Sequence, residues 1–397
     1  MLLLAGCWDH IDIEQRGYVL GVAIDAYPPM PGKDEKAASE ETPPEEEEKI
    51  EMMETHTGKP SYAMTIQMPI LRKNPQPAEG GGSSSEGGGL TWEITQVGNS
   101  FMAMNRELLA RTSLSLYYEH LQVIIISDQV ARKGISDVLD FFTRDPEMRR
   151  RVRIFISKGE AKAVLDVKPR IEEYSSVYLA EMPTNAGKNS RIVHHTDLGQ
   201  VIQLIHNDLS FVLPVAQATK DEIKITGAAA FKGDKLVGWV NELETEAIKL
   251  IRNLYLGGVV SVKSPEQKDA LEVLDITKAK TKITPIINND QITMDIKIDI
   301  KGNYAEYINK AALEDITIDF LKRLEEEFEK EIKRLCLATI YKFQKEYKAD
   351  VFHFCQYIKA EKPAFWDKIS GQWDRIFPEL NVDLKVSVKI DLTGATK

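Results

Sequence analysis

Residues 120–127 read HLQVIIIS, and the consecutive isoleucines Ile124, Ile125 and Ile126 decide the fold class of the first half of the chain. Successive side chains of a strand point to opposite faces, so an unbroken β-branched run describes a strand buried on both sides. Such a strand belongs to a sheet with helices packed against it. Its neighbours agree: helical patterns near Gly98–Arg111 and Asp128–Thr143 flank it, and Val152–Lys158 reads as the next strand. Upstream, GYVLGVAIDAY (17–27) is a buried strand stopped by Pro28 and Pro29, Tyr62–Met68 is a second, and LTWEIT (90–95) a third. These segments predict an N-terminal α/β domain over residues 8–165.

Two stretches interrupt it. A disordered acidic insert is predicted at 30–60; residues 33–54 alone hold ten Asp or Glu against three Lys, and cannot bury enough apolar surface to order themselves. Residues 75–89 contain six glycines and three serines, the composition of a flexible tether. No GK[ST] closes that glycine run and a strand follows it, which argues against a phosphate cradle.

Downstream, residues 166–225 read as a small, mostly helical middle domain, with Thr196 placed to cap DLGQVIQLIHND (197–208). From residue 226 to 397 the pattern predicts a C-terminal α+β domain. Lys232-Gly233-Asp234-Lys235 and Asn288-Asn289-Asp290 are hairpin turns between strand-like runs. Ile292, Met294, Ile296, Ile298 and Ile300 alternate strictly, so one face of their sheet is buried and one is wet. Glu314–Tyr347 carries Leu321, Leu324, Phe328, Ile332, Leu335 and Phe343 at helical spacing, a long amphipathic helix laid across that sheet. Val382–Leu392 closes the chain as an alternating strand. The expected fold class is therefore α+β: an N-terminal sheet with packed helices, a helical middle, and a C-terminal antiparallel sheet crossed by a long helix.

Composition narrows the function. The 397 residues are 43% hydrophobic and 28% charged, as in an ordinary globular chain. No run approaches the roughly 18 apolar residues of a spanning helix. With 61 acidic against 51 basic residues the net charge is −10, which argues against a nucleic-acid binder. The sequence has no HExxH, GxSxG, GxGxxG, P-loop or CxxC, so it offers no catalytic motif. His194, His195, Asp197 and His206 are the best metal candidates, yet adjacent histidines diverge on any regular backbone and a helix start uses polar side chains as caps. The reading is therefore no metal and no cofactor. Cys336 and Cys355 sit among apolar neighbours as buried thiols, and His353 reads as structural.

Cys7 differs. Leu4-Ala5-Gly6-Cys7 is the aliphatic–small–small–cysteine pattern at which bacteria lipidate a thiol and cleave before it, making residues 1–7 the remnant of a lipoprotein signal peptide. Only Leu2 to Leu4 precede it, which places the true start upstream or means the segment was trimmed. A diacylglyceryl group on Cys7 would anchor the chain to a membrane. Trp8 would then lie near the headgroups or fold back onto the first domain. Arg149, Arg150, Arg151 and Arg153 follow the helix-ending Asp145-Pro146. They read either as a solvated helix terminus or as a contact with an anionic membrane or acidic partner.

The sequence resembles the Ger(x)C family, the C-subunit lipoproteins of bacterial spore germinant receptors. The likeness runs through Gly6-Cys7-Trp8-Asp9, Ile13, Gly21, Ile24 and Asp25. It is strongest in HLQVIIIS (120–127) and GISDVLDFFTRDPEMR (134–149), and it returns at FKGDKLVGWV (231–240), KEYKADVF (345–352) and WDRIFPELNVDLKVSVKI (373–390). His10 and Ile11 stand where basic residues are common in that family, and Cys355 where a small residue is usual. The resemblance implies a three-domain, non-enzymatic lipoprotein on the outer face of the inner spore membrane. It would be assembled with two membrane subunits, A and B, and needed for nutrient-triggered germination; whether this subunit touches the nutrient is left open. The alternatives are a solute-binding lipoprotein delivering a nutrient to a transporter, disfavoured because two similar lobes are absent, and a cell-envelope hydrolase, which has no motif behind it.

Overall fold

The structure, a computed structural model, describes residues 12–28, 61–70, 91–194, 196–266, 270–289, 291–308 and 317–391. Cys7, Trp8, His195, the acidic insert and the Gly/Ser loop lie outside the described residues. The described chain forms two compact units, one within Met1–Glu181, Thr196–Ile202 and Ala216–Lys224, the other within Met182–His195, Gln203–Val215 and Ile225–Lys397.

In the first unit, the predicted strand at 17–27 is two: β1 (Arg16–Tyr18) and β2 (Gly21–Ala26). Then come β3 (Tyr62–Pro69), β4 (Thr91–Gly98), α1 (Phe101–Leu108) and β5 (Ser115–Tyr117). The isoleucine run is β6 (Val123–Ser127), in which Ile124, Ile125 and Ile126 are all fully buried. The single helix expected after it is broken into α2 (Asp128–Lys133) and α3 (Ser136–Arg144) at Gly134, whose φ of 133° no helix accommodates. Strand β7 (Arg153–Ser157) and helices α4 (Lys162–Leu165) and α5 (Ser175–Glu181) follow. The sheet runs β7-β6-β2-β3-β4, with parallel pairs β7/β6 and β6/β2 and antiparallel pairs β2/β3 and β3/β4. Helices α2 and α5 pack on β6, and α4 on β2.

Residues 166–225 are shared between the units. Besides helices, among them α6 (Leu198–His206), they contain the strand β8 (Phe211–Ala218). The cap of α6 is Asp197 rather than Thr196. Asp197 Oδ1 accepts from the Gln200 amide at 2.8 Å, and Gln200 Oε1 accepts from the Asp197 amide at 3.2 Å, a reciprocal capping box.

In the second unit, β9 (Ile223–Lys232) and β10 (Lys235–Val240) form the predicted hairpin, with Gly233 left-handed at φ 59°. Helix α7 (Glu242–Ile251) opens on an Asn241/Glu244 capping box. Its Lys249 is buried, and Nζ donates to the carbonyls of Ala186 and Ile192 at 3.1 Å each, while burial pulls its pKa from 10.5 to about 8. The C-terminal sheet is β11 (Gly258–Lys263), β12 (Leu271–Asn288), β13 (Gln291–Ile308) and the closing β14, Asn381–Asp391. Ile292, Met294, Ile296, Ile298 and Ile300 all face the core, as their alternation requires. The long helix is α8 (Ile318–Lys342), ending in a π-helical turn at Phe343–Tyr347; Leu324, Phe328 and Ile332 bury its apolar stripe against the sheet. After it come α9 (Phe354–Glu361), α10 (Pro363–Ile369) and α11 (Trp373–Ile376).

The sheet is not wholly antiparallel. β14 lies parallel to β13 in the register Thr293↔Asn381, because the helices between them carry the chain back as a crossover, which only parallel neighbours need. α8 also caps two outward amides at the C-terminal end of β14. Glu329 Oε1 accepts from the Val388 amide at 3.0 Å and Glu325 Oε1 from the Ile390 amide at 2.9 Å. Four helical residues advance about 6 Å and two strand residues about 6.6 Å, so carboxylates at i and i+4 match outward amides at i and i+2.

Candidate membrane and partner surface

β1 and β5 pair in parallel, Arg16↔Ser115 through Tyr18↔Tyr117, and set an aromatic and cationic cluster where the described chain begins. The Arg16 guanidinium lies 4.0 Å over the Tyr117 ring, a cation–π contact. Tyr18 meets His120 edge-on at 5.2 Å and Tyr117 at 5.9 Å. Glu119 accepts from both the Tyr117 hydroxyl and Arg149, and the Arg149 guanidinium holds its carboxyl below the usual range. Sequence reasoning missed Arg16, Tyr18, Tyr117 and His120 as a group. A pairing between strands a hundred residues apart leaves no local spacing to read.

The arginine run does not act as one unit. Arg144, just before it, folds back on Asp140 at 2.7 Å across one helical turn. Arg149 is engaged by Glu119. Arg153 opens β7, with its side chain only 20% exposed and 3.7 Å from Glu181. Arg150 and Arg151 are exposed and have no ion-pair partner among the described residues. Of the metal candidates, Asp197 is spent on its helix cap and His194 Nε2 lies 3.2 Å from the Leu254 carbonyl.

The Gly-x-x-Ile-Asp strand has a structural explanation. Asp25 accepts from the amides of Ala161 at 2.6 Å and Lys162 at 3.0 Å, satisfying the free start of α4. A Cβ on Gly21 would stand 2.8 Å from Ser176 Cβ and 2.9 Å from Leu165 Cδ2, so only glycine lets β2 approach α4 and α5. On β3, buried Gln67 donates to the Leu165 carbonyl at 3.1 Å and to Ser175 Oγ at 2.8 Å, and accepts from the Ser176 amide at 3.2 Å. One amide side chain thus joins the sheet to both helices.

A mixed sheet under helices and a second sheet crossed by a long helix define an α+β protein. Comparison with known proteins gives its class. Residues 9–218 match the model of the spore germination protein N-terminal domain, and residues 226–394 that of the spore germination B3/GerAC-like C-terminal domain. The chain is 30% identical to spore germination protein YndF of Bacillus subtilis (strain 168), an alignment covering 100% of this chain and 95% of that protein. It is 27% identical to spore germination protein B3 of the same organism, over 98% and 94% of the two chains. The crystal structure of the GerBC protein superposes with a TM-score of 0.58 at 25% identity, covering 83% of this chain and 93% of that one. The chain therefore belongs to the GerAC family of spore germination proteins, and its role lies in spore germination.

Proposed function

We propose that this chain is the lipid-anchored, non-enzymatic C subunit of a spore germinant receptor. It would be held at the outer face of the inner spore membrane by a diacylglyceryl group on Cys7 and assembled with the two membrane subunits, A and B. The observation that carries the reading is the match of both halves to spore germination domains directly behind a Leu-Ala-Gly-Cys sequence. Among the described residues no helix is long and apolar enough to cross a membrane, which fits attachment through lipid. One acyl chain holds only marginally, whereas two give lasting attachment. Arg150 and Arg151, with the Arg16/Tyr117 cluster, are the groups offered to the headgroups or to the membrane subunits.

The test is fractionation of spore membranes with mass spectrometry of the N-terminal peptide, followed by affinity recovery of partners. Diacylglyceryl-Cys7 in the membrane fraction, together with two polytopic proteins, is the expected outcome. An unmodified Cys7 in membrane-bound protein overturns the anchor, and recovery of the chain without membrane subunits overturns the receptor role.

A further inference from the structure

A cleft of about 890 Å³ opens in the second unit, walled by the α6–β8 turn, the β9–β10 hairpin and the segments from the end of α8 to α11. Three of the sequence blocks that carry the family resemblance meet there, through Lys232, Lys348 and Trp373. Backbone strain also gathers at this place. Among the described residues five non-glycine positions have positive φ; Asp208 (52°) and Lys348 (50°) line the cleft, and His353 (59°) lies between the lining residues Asp350 and Cys355. Left-handed backbone at residues with a Cβ persists only where the surroundings enforce it, and it concentrates at functional sites.

The floor is rigid and internally satisfied. His353 Nε2 donates to the Ser210 carbonyl at 2.9 Å and Nδ1 accepts from Arg252 at 3.2 Å, which fixes a neutral imidazole. Burial and then Arg252 push its pKa down to about 4. Asp350 accepts from the amides of Phe354 and Cys355 at 3.0 Å each and from Trp373 Nε1 at 3.2 Å, so the indole is held in place. Trp366 stands edge-on to it at 5.5 Å. Lys232 is paired with Asp374 at 3.0 Å. Asp350 is buried and already accepts three N–H donors, so the exposed lining charges left over are the ammoniums of Lys348 and Lys359 against the carboxylate of Asp208.

We propose that this cleft binds a small organic carboxylate, its apolar body against Trp366 and Trp373 and its negative end at Lys348 and Lys359. Two tryptophans call for an apolar body, and a surplus of uncommitted ammonium calls for an anion. The site lies wholly in the second unit and stands whether or not the chain is a membrane-anchored receptor subunit.

Calorimetry on the full chain tests it with phenylacetate, 4-methylpentanoate and indole-3-acetate, using benzylamine as the cationic counterpart. At least one carboxylate should bind with a Kd of about 1 mM or tighter, and benzylamine at least about tenfold more weakly. Lys348→Gly with Lys359→Ala should weaken that carboxylate at least about tenfold. Lys348→Gly alone should raise the thermal midpoint, because glycine accepts the left-handed backbone without strain, while still weakening the ligand. Opposite signs in stability and affinity separate a binding lysine from a structural one. Absence of binding by all three carboxylates, equal binding of benzylamine, or unchanged affinity in the double variant overturns the proposal.

Discussion

Asp25 accepts two amide hydrogens, which favours its charged form, but burial outweighs them and raises its pKa from 3.8 to about 6. The folded chain therefore holds this proton to higher pH than the unfolded chain. The stability it contributes is full below pH 3.8 and is lost as the pH rises through about 6. Asp25→Asn removes that titration. From pH 4 to pH 7 the stability of wild type relative to the variant should fall by up to about 3 kcal/mol, read from paired thermal melts. A difference that stays flat across that range would show that Asp25 does not titrate there. Gly21→Ala drives a methyl into Ser176 and Leu165, and we expect urea unfolding to show a loss of about 1–3 kcal/mol.

At the scale of elements, α8 both covers the C-terminal sheet and caps two amides on its β14 edge. Glu325→Ala with Glu329→Ala leaves two β14 amides without their charged acceptors, each bond being worth about 1.5–3 kcal/mol. Urea unfolding should show that loss, whereas Glu326→Ala, at an exposed position of the same helix, should lie within about 0.5 kcal/mol of wild type. The alternation at 292–300 and the three-and-four spacing along α8 were legible in the sequence, because burial of one face imposes its period on the residues that supply it. The parallel entry of β14 was not, since alternation is the same in either direction. The break at Gly134 was signalled only by a glycine that a helix tolerates at modest cost. The candidate surface was legible in part: a contiguous arginine run can be read, but which arginines are already engaged depends on Glu119 and Glu181, distant in the chain.

For the whole molecule, two substitutions test the proposed surface. Arg150→Glu with Arg151→Glu reverses the two exposed charges, and each basic residue near an anionic surface is worth about 1 kcal/mol. The variant should bind anionic liposomes more weakly at low salt and lose the difference at high salt; equal sedimentation of both proteins at low salt would remove the membrane from the account of this surface. Deletion of residues 33–54, too acidic to join a core, should leave the thermal midpoint nearly unchanged, and a fall of many degrees would show that they pack. The carboxylates of Glu325 and Glu329 acquire a further meaning if the chain is tethered. Proteins confined to one membrane face meet copies of themselves at high effective concentration, and a bare strand edge there would recruit neighbours into a growing sheet. With the outward amides of Val388 and Ile390 already taken, the C-terminal part of the β14 edge offers such a neighbour no foothold, so crowded copies are hindered from fusing there.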